Sequence, residues 1–312
     1  MRESAIVTAA ALGALAVSGA WGEWVYEGQW GRHGSGNGEF VFVCDVDVAP
    51  NGTVYTAEFW DNGGRVQYFT PTGSYIGQWG LHDDDSALAV APNTDVYVTF
   101  WGEVYYYTAQ GSLKGSWGSY PHIYEILGID IAANGNVYVS DGGNDKIQLF
   151  SAAGSKLREW GREGSGNGEF NNPAGIGVAP NGNVYVTDNG NARVQYFTAA
   201  GSFLGKWGST GTGNGQFFGP KEVAVGPDGR VHVLEMYNNR VQYFTATGSF
   251  LGKFGRWGSG PSQFKTPYGL ALSRDGRRLY VADMGNSRVQ YFRWSPTNIN
   301  PTSLGRVKAL YH

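Results

Sequence analysis

Residues 184–208, VYVTDNGNARVQYFTAAGSFLGKWG, contain the pattern on which the rest of the chain is built. Copies of its RVQYF core begin at Arg65, Arg193, Arg240 and Arg288, with variants KIQLF from Lys146 and EVYYY from Glu103. The six copies begin 38 to 48 residues apart. Short alternating runs at such a period, separated by Gly and Asn, are typical of propeller blades, because one four-stranded unit cannot bury both of its faces alone.

A second element, which ends in Trp-Gly at residues 207–208, predicts the fourth strand of each unit. Its other copies end at Trp30, Trp79, Trp117, Trp160 and Phe254. The first copy has no strands before it, and no copy follows the last RVQYF run. A ring in which the N-terminal strand completes the last blade pairs all the strands and leaves no open edge. We therefore predict an all-β fold, a six-bladed β-propeller closed in this way.

The 312 residues divide into three predicted segments. Residues 1–20 contain an early Arg2, a weakly apolar run and a small-residue cleavage pattern ending at Ala20, which together predict a secretory signal peptide. The alternative is a disordered or helical tail. The propeller is predicted over residues 21–294, and residues 295–312 read as a linker and a short tail, helical from Ser303.

The predicted location is outside the cytoplasm, secreted into the extracellular space or the periplasm. The apolar run near the N-terminus is too short and too rich in Ala and Gly for a membrane span. Cys44 is the single cysteine, so no disulfide can form within the chain. Lys and Arg number 23 against 26 Asp and Glu, and this balance offers no strong field for a nucleic-acid backbone. We expect no nucleic-acid partner, and the sequence is silent on oligomeric state.

An acidic residue, an asparagine and a basic residue recur at fixed spacing in four of the units. The sets are Asp188/Asn191/Arg193, Asp283/Asn286/Arg288, Asp141/Asn144/Lys146 and Glu235/Asn238/Arg240. With this pattern the units resemble NHL repeats. The resemblance implies the propeller fold, but the family's propellers serve as protein-binding, RNA-binding and receptor modules, and a zinc-dependent amidating lyase shares the fold, so activity stays open. Because the set repeats around the ring, we interpret it as structural rather than catalytic.

Two faces of the disc differ in how much their connections vary. Turns such as Pro-Asn-Gly at residues 180–182 join the first and second strands, and Thr-x-x-Gly-Ser turns join the third and fourth. Both lie on one face, which we call the turn face. The connections from second to third strand and from blade to blade lie on the opposite, variable face, where we expect function. Its Gly-rich loops precede strands, so they do not predict a nucleotide site.

Aromatic residues mark the variable face of blades one and two. The predicted binding residues there are Phe59, Trp60, Asp61, Phe100 and Trp101, joined by Tyr237 in blade five. Flat rings beside carboxylates can stack on sugars or hold a peptide, so the predicted partner is a glycan, a peptide or a protein. The alternative is that these rings cap the ends of the blades.

A second predicted cluster lies on the propeller axis. Alignment of the first strands places Asp45, Lys221, Glu222 and Tyr268 around one opening, as a polar binding cluster. Lys221 and Glu222 can equally pair with each other. No nucleophile stands beside an obvious base in the sequence.

Three histidines, His33, His82 and His122, are weak candidates for a metal site because each falls in a connection between blades. Their offsets from the following strand differ, which favours exposed loop residues instead. His232, at a tyrosine position, reads as a strand-packing variant. The leading prediction is a non-catalytic binding or scaffold propeller without a cofactor; the alternative is a lyase or hydrolase using Zn or Ca on the axis.

Overall fold

The structure, a computed structural model, describes residues 22–60, 63–81, 87–100, 102–118 and 123–296, with only the backbone described for Trp60. The predicted signal peptide and the tail from residue 297 onward lie outside these residues. Trp24–Ser295 form one compact unit, and of the second unit only residues 22, 23 and 296 are described. The strands of the described chain form six four-stranded sheets.

Each sheet is one blade, with its first strand on the inside. Blade one contains β2 (Phe42–Val48), β3 (Val54–Trp60), β4 (Gly63–Phe69) and β5 (Tyr75–Leu81), and blade two β6 (Ala87–Val90), β7 (Val96–Phe100), β8 (Glu103–Tyr107) and β9 (Leu113–Gly118). Blade three contains β10 (Ile126–Ile131), β11 (Val137–Asp141), β12 (Lys146–Phe150) and β13 (Lys156–Trp160). Blade four contains β14 (Pro173–Val178), β15 (Val184–Asp188), β16 (Arg193–Phe197) and β17 (Phe203–Trp207). Blade five contains β18 (Pro220–Val225), β19 (Val231–Glu235), β20 (Arg240–Phe244) and β21 (Phe250–Phe254).

Blade six confirms the predicted ring closure. It consists of β22 (Gly269–Leu272), β23 (Arg278–Asp283), β24 (Arg288–Ser295) and the N-terminal strand β1 (Glu23–Trp30), which pairs with β24. The inner strand of each blade contacts the inner strands of both neighbours, including β2 with β22. The all-β six-bladed propeller predicted from the repeat count is therefore correct.

Helical structure in the described residues is limited to three short 3-10 turns between second and third strands. These are Gly142–Asn144, Asn189–Asn191 and Met284–Asn286. Within the described part of the chain, no helix has the length and apolar character needed to cross a membrane.

Aromatic side chains tie each blade to the next. A Cβ atom on Gly201, in the last turn of blade four, would lie 2.6 Å from the Cδ2 atom of Trp160 in blade three. The glycine, whose φ is +81°, therefore gives the indole ring a flat surface to pack on. Phe254 stands at the position of this tryptophan in blade five, and the following blade has no turn between β24 and β1.

A second link between blades is a tyrosine on the second strand. Its hydroxyl donates to a turn carbonyl of the following blade, in the pairs Tyr55–Ala109, Tyr97–Ala152, Tyr138–Ala199, Tyr185–Ala246 and Tyr280–Pro71. In blade five His232 occupies this position and accepts a hydrogen bond from Trp24 Nε1 at 3.1 Å. Burial lowers the pKa of His232 to about 3, so the ring is neutral at physiological pH. His232 thus has a specific role at the closure of the ring, beyond the packing expected from sequence.

Candidate functional site

The repeated acidic and basic residues hold the Gly-rich loops of the variable face. In blade four, Arg193 Nε donates to Asp188 at 2.6 Å, and both side chains are buried. The other guanidinium nitrogens donate to the carbonyls of Ser165, Gly166 and Glu169 in the loop that enters the blade. Arg65, Arg240 and Arg288 bind the equivalent loops of blades one, five and six. This geometry supports the structural interpretation of the set, because its side chains hydrogen-bond to backbone groups of the loop or to each other.

Blades two and three lack both the arginine and the Gly-rich loop. Phe100 and Glu103 occupy the positions of Asp188 and Arg193, and Glu103 accepts a hydrogen bond from the Tyr105 hydroxyl at 2.6 Å. The connections into these blades contain residues 82–86 and 119–122, which lie outside the described residues. The arginine therefore occurs in the four blades that a Gly-rich loop enters, which are blades one, four, five and six.

The aromatic residues predicted on loops in blades one and two lie at strand ends. Phe59 pairs with Gly64, and the backbone of Trp60 pairs with Gly63, so the two extra residues of blade one lengthen its hairpin. Phe100 likewise ends β7. The prediction of loop positions was wrong for these three residues, because the backbone ladder continues to the end of each hairpin.

An aromatic pair with one exposed ring and one partly buried ring lies on the variable face of blade one. The rings of Phe42 and Phe59 are stacked at 5.5 Å between centroids with 25° between planes, and Phe42 is 44% exposed. Sequence reasoning missed Phe42, although an apolar residue replaces Asn172 of blade four at that position. The predicted neighbours Asp61 and Trp101 lie outside the described residues, as does the Trp60 side chain.

Blade five carries a second pair on the same face. Phe218 and Tyr237 are 52% and 56% exposed, and their ring centroids lie 5.0 Å apart. Gly219, with φ at +65°, lets the tyrosine ring sit directly on the backbone, since a Cβ there would be 2.5 Å from Tyr237 Cδ2. Phe218 was also missed; the signal was an apolar residue at the place of Asn171.

The two pairs lie in blades five and one, on either side of blade six. Between them, the loop entering blade six presents Trp257, which is 71% exposed, with Lys265 Nζ 5.6 Å from its ring centroid. We call this set of residues, Phe42, Phe59, Phe218, Tyr237 and Trp257, the aromatic arc. Exposed aromatic groups of this kind mark interaction sites more often than they do ordinary surface.

A channel of about 670 Å³ follows the propeller axis from the turn face. Four carboxyl groups line it: Asp45, Asp47, Asp130 and Glu222. Asp45 and Glu222 were predicted as axial residues, whereas Asp47 and Asp130 were missed. An alignment extended by two residues along the inner strands finds both of them.

Each axial aspartate joins two inner strands. Asp47 accepts hydrogen bonds from the amides of Val48 and, in blade two, Val90, each at 2.7 Å. Asp45 does the same with Val46 and Leu88, and Asp130 with Ile131 and Val178. The carboxylates thus satisfy amides on the free edges of the inner strands, which would otherwise stay unpaired next to the channel.

Burial raises the pKa of every axial carboxyl group. The pKa is about 7 for Asp45, about 8 for Asp47 and about 6 for Asp130, with the backbone amide donors opposing the shift in each case. The pKa of Glu222 is raised well above its usual value by burial and then by the charge of Asp45. Asp45, Asp47 and Asp130 therefore exchange protons near neutral pH, as the acids and bases of enzymes do.

Lys221 and Tyr268 lie beside these carboxyl groups without forming an open ring. The Lys221 side chain is buried, with Nζ 4.2 Å from the centroid of the Tyr268 ring. No described residue forms an ion pair with Lys221 within 4.0 Å, so the alternative pairing with Glu222 is not adopted. The structure brings the four predicted axial residues together, but Asp45 and Glu222 face the channel from the turn face, while Lys221 is covered.

Of the three histidines predicted as weak metal ligands, the structure describes only His33, so their convergence stays a prediction. His33 is exposed on a loop at the rim, and His82 and His122 lie outside the described residues. Among the residues that the structure describes, no group of three or more His, Cys, Asp or Glu side chains is arranged to hold a metal ion.

Comparison with known proteins agrees with this architecture. Among solved structures, a streptogramin B lyase is 15% identical with a TM-score of 0.63 and covers 89% of this chain and 100% of its own. Virginiamycin B lyase from Staphylococcus aureus is 17% identical with a TM-score of 0.58, and the match covers 81% of this chain and 95% of that one. A chain of the mitotic checkpoint complex is 11% identical with a TM-score of 0.60, and the match covers 94% of this chain and 98% of that one. At such identities the likeness shows the fold alone. No curated protein sequence is significantly similar. Residues 170–197 match the NHL repeat family model, and the described strands form a six-bladed β-propeller.

Proposed function

We propose that this protein is a secreted, non-catalytic binding propeller that recognises a glycan, peptide or protein partner through the aromatic arc. The observation that carries the proposal is the presence of two ring pairs on the face with variable connections: Phe42–Phe59, in which Phe42 is exposed, and Phe218–Tyr237, in which both rings are exposed. An NHL-type propeller supports a binding or scaffold role in general. The aromatic arc makes that role specific to one surface.

The rings are held in place before any ligand arrives. Phe59 packs against the buried cluster between blades one and two, and Tyr237 rests on the backbone of Gly219. A ligand that stacks on such rings loses little affinity to ordering of side chains, because the rotamers are already fixed. Each fully covered aromatic side chain of this kind contributes about 2 kcal/mol or more where it is central to an interface.

The test is binding of the purified protein to glycan and peptide arrays, followed by titration of the strongest ligand. We expect Phe42→Ala and Tyr237→Ala, each alone, to weaken binding about tenfold or more. Leu204→Ala is the matched control, because Leu204 is 44% exposed on the outer strand β17, away from both pairs. The proposal is wrong if both arc variants bind every array ligand as the unaltered protein does.

Export is part of the proposal and rests on residues 1–20 alone. Cleavage after Ala20 would make Trp21 the first residue of the exported protein. N-terminal sequencing of protein recovered outside the cytoplasm checks this, and an intact N-terminus there would contradict it.

The alternative function is a metal-dependent lyase or hydrolase with an axial site. It is favoured by the raised pKa values of Asp45 and Glu222 in the channel, and two of the similar folds are lyases. Because the described residues offer no metal-ligand set, such a site would need a ligand from outside them, for which His82 and His122 are the candidates. One equivalent of tightly bound Zn or Ca in the purified protein, lost in His82→Ala or His122→Ala, would support this alternative. Less than one equivalent would count against it.

A further inference from the structure

A basic groove lies on the turn face, where blade six meets blade one. Its volume is about 640 Å³, and four arginines line it: Arg274, Arg277, Arg278 and Arg293. The opposite wall is formed by Pro50, Asn51 and Gly52 of the first turn of blade one. This surface is separate from the aromatic arc, which lies on the variable face.

The arginines enter through a turn that differs from its counterparts. Blade six has SRDGRRL at residues 273–279, where blade four has APNGNV at residues 179–184, so one residue is added and three are arginines. Ser273 Oγ holds the enlarged turn by accepting from the Arg278 amide at 2.9 Å and donating to Asp275 at 2.6 Å. The expectation that turns on this face barely vary therefore fails in blade six.

Two of the arginines face each other across the sheet. Arg278 and Arg293 are directly opposite in the pairing of β23 with β24. Like charges at such positions destabilise a sheet. Glu27 of β1 offsets part of this repulsion, at 2.8 Å from Arg278 and 3.8 Å from Arg293.

The remaining charges do not balance. Arg277 lies 4.0 Å from Asp275, with both side chains largely exposed, and Arg274 forms no ion pair with any described residue. Four guanidinium groups against the carboxylates of Asp275 and Glu27 leave two positive charges around the groove. The whole protein has a net charge of −3, so this excess of positive charge is confined to the junction between blades six and one.

We propose that the groove between blades six and one binds a divalent oxyanion, a phosphate or sulfate group. Guanidinium groups bind such anions through paired N–H donors, and the groove is large enough to admit the group together with the molecule that carries it. The anion supplies the two missing negative charges and relieves the repulsion between Arg278 and Arg293.

The experiment is a calorimetric titration of the full chain, at low ionic strength, with inorganic phosphate and, separately, with inorganic sulfate. We expect saturable binding of at least one of them. Arg274→Gln/Arg277→Gln, which alters only exposed side chains, should weaken it about tenfold or more. Arg158→Gln is the control, since it removes an exposed arginine from β13 in blade three; its affinity should stay within about twofold.

Comparison of the phosphate and sulfate titrations identifies the anion. Tighter binding of phosphate points to phosphate monoesters, which carry two negative charges, and tighter binding of sulfate points to the inorganic sulfate ion, since a sulfate monoester carries only one. The proposal is overturned if neither anion binds, or if the double variant and Arg158→Gln lose affinity equally. A thermal unfolding curve matched to the unaltered protein shows that the double variant is folded.

Discussion

Blade four and blade two share one strand pattern but differ at the variable face. In blade four, the buried pair Asp188–Arg193 holds the carbonyls of an incoming Gly-rich loop. In blade two, Phe100 and Glu103 stand at these positions, and the sequence has no such loop. The difference teaches that the buried arginine–carboxylate pair accompanies the Gly-rich loop, because blade two forms without either of them.

The same two blades are alike at the axis. Blade four presents Gly175 to its neighbour and blade two presents Ala87, both at positions where blades one and five carry Asp45 and Glu222. Small residues there leave room for the neighbours' carboxyl groups. Different neighbours therefore decide which residues a blade carries at its two ends. The entering loop decides the residues at the variable face, and the adjoining inner strand decides those at the axis.

The largest expected effect comes from breaking the ionic set in blade four. Arg193→Ala leaves Asp188 buried without its partner and three loop carbonyls without a donor, which should lower the free energy of unfolding by about 3–5 kcal/mol. Glu103→Ala, at the equivalent position of blade two, should change it by about 0.5 kcal/mol or less. Urea unfolding of the two variants checks this contrast. Equal losses would show that the ionic set does not distinguish the blades.

A smaller effect is expected from an added methyl group on the axis. A Cβ on Gly175 would lie 2.5 Å from Glu222 Oε1 and 2.6 Å from its Cα, so Gly175→Ala should cost about 1–3 kcal/mol. Gly80→Ala is the same change on β5, where nothing lies within 4 Å of the new atom, and should be close to neutral. Thermal unfolding measures both. A neutral Gly175→Ala would mean that the inner strands are not closely packed.

The smallest expected effect is the pH dependence of stability that the axial carboxyl groups cause. The folded-state pKa values of Asp45 and Asp47, about 7 and about 8, exceed the unfolded values, so the folded state binds more protons. Stability is then lost as pH rises, by about 1–2 kcal/mol between about pH 6.5 and 8.5. His232 does not contribute in this window, because its lowered pKa affects stability only below the unfolded value.

Urea unfolding at the two pH values, compared with Asp47→Asn, measures the axial effect. The variant removes one titrating group, so its free energy of unfolding should change less between the two pH values. Stability that rises with pH in the unaltered protein would contradict the raised pKa values.

Much of the fold follows from the sequence because each blade is a local pattern. The alternating runs around Val184 and Arg193 specify antiparallel strands, and the unmatched strand ending at Trp30 specifies the closure of the ring. Asp45, Lys221, Glu222 and Tyr268 could be placed near the axis because strands of equal register come together in a ring.

The candidate site was harder to predict, since pairing across strands decided it. Phe42 and Phe59 are 17 positions apart in the chain and meet only in the ladder between β2 and β3. Lys221 was predicted at an opening, yet its contact with the Tyr268 ring covers it. The basic groove was not predicted because its arginines come from the first turn, the second strand and the third strand of blade six, and only the junction with blade one makes them a groove.

The sequence by itself therefore determined the number of blades, their strand order and the way in which the ring closes, because these depend on a repeat that each unit carries in full. The tertiary structure decided which side chains are exposed, which are paired and which meet across blades. Those properties depend on neighbours far apart in the chain, as His232 and Trp24 illustrate, since they are 208 positions apart. Their hydrogen bond exists only once the ring is closed.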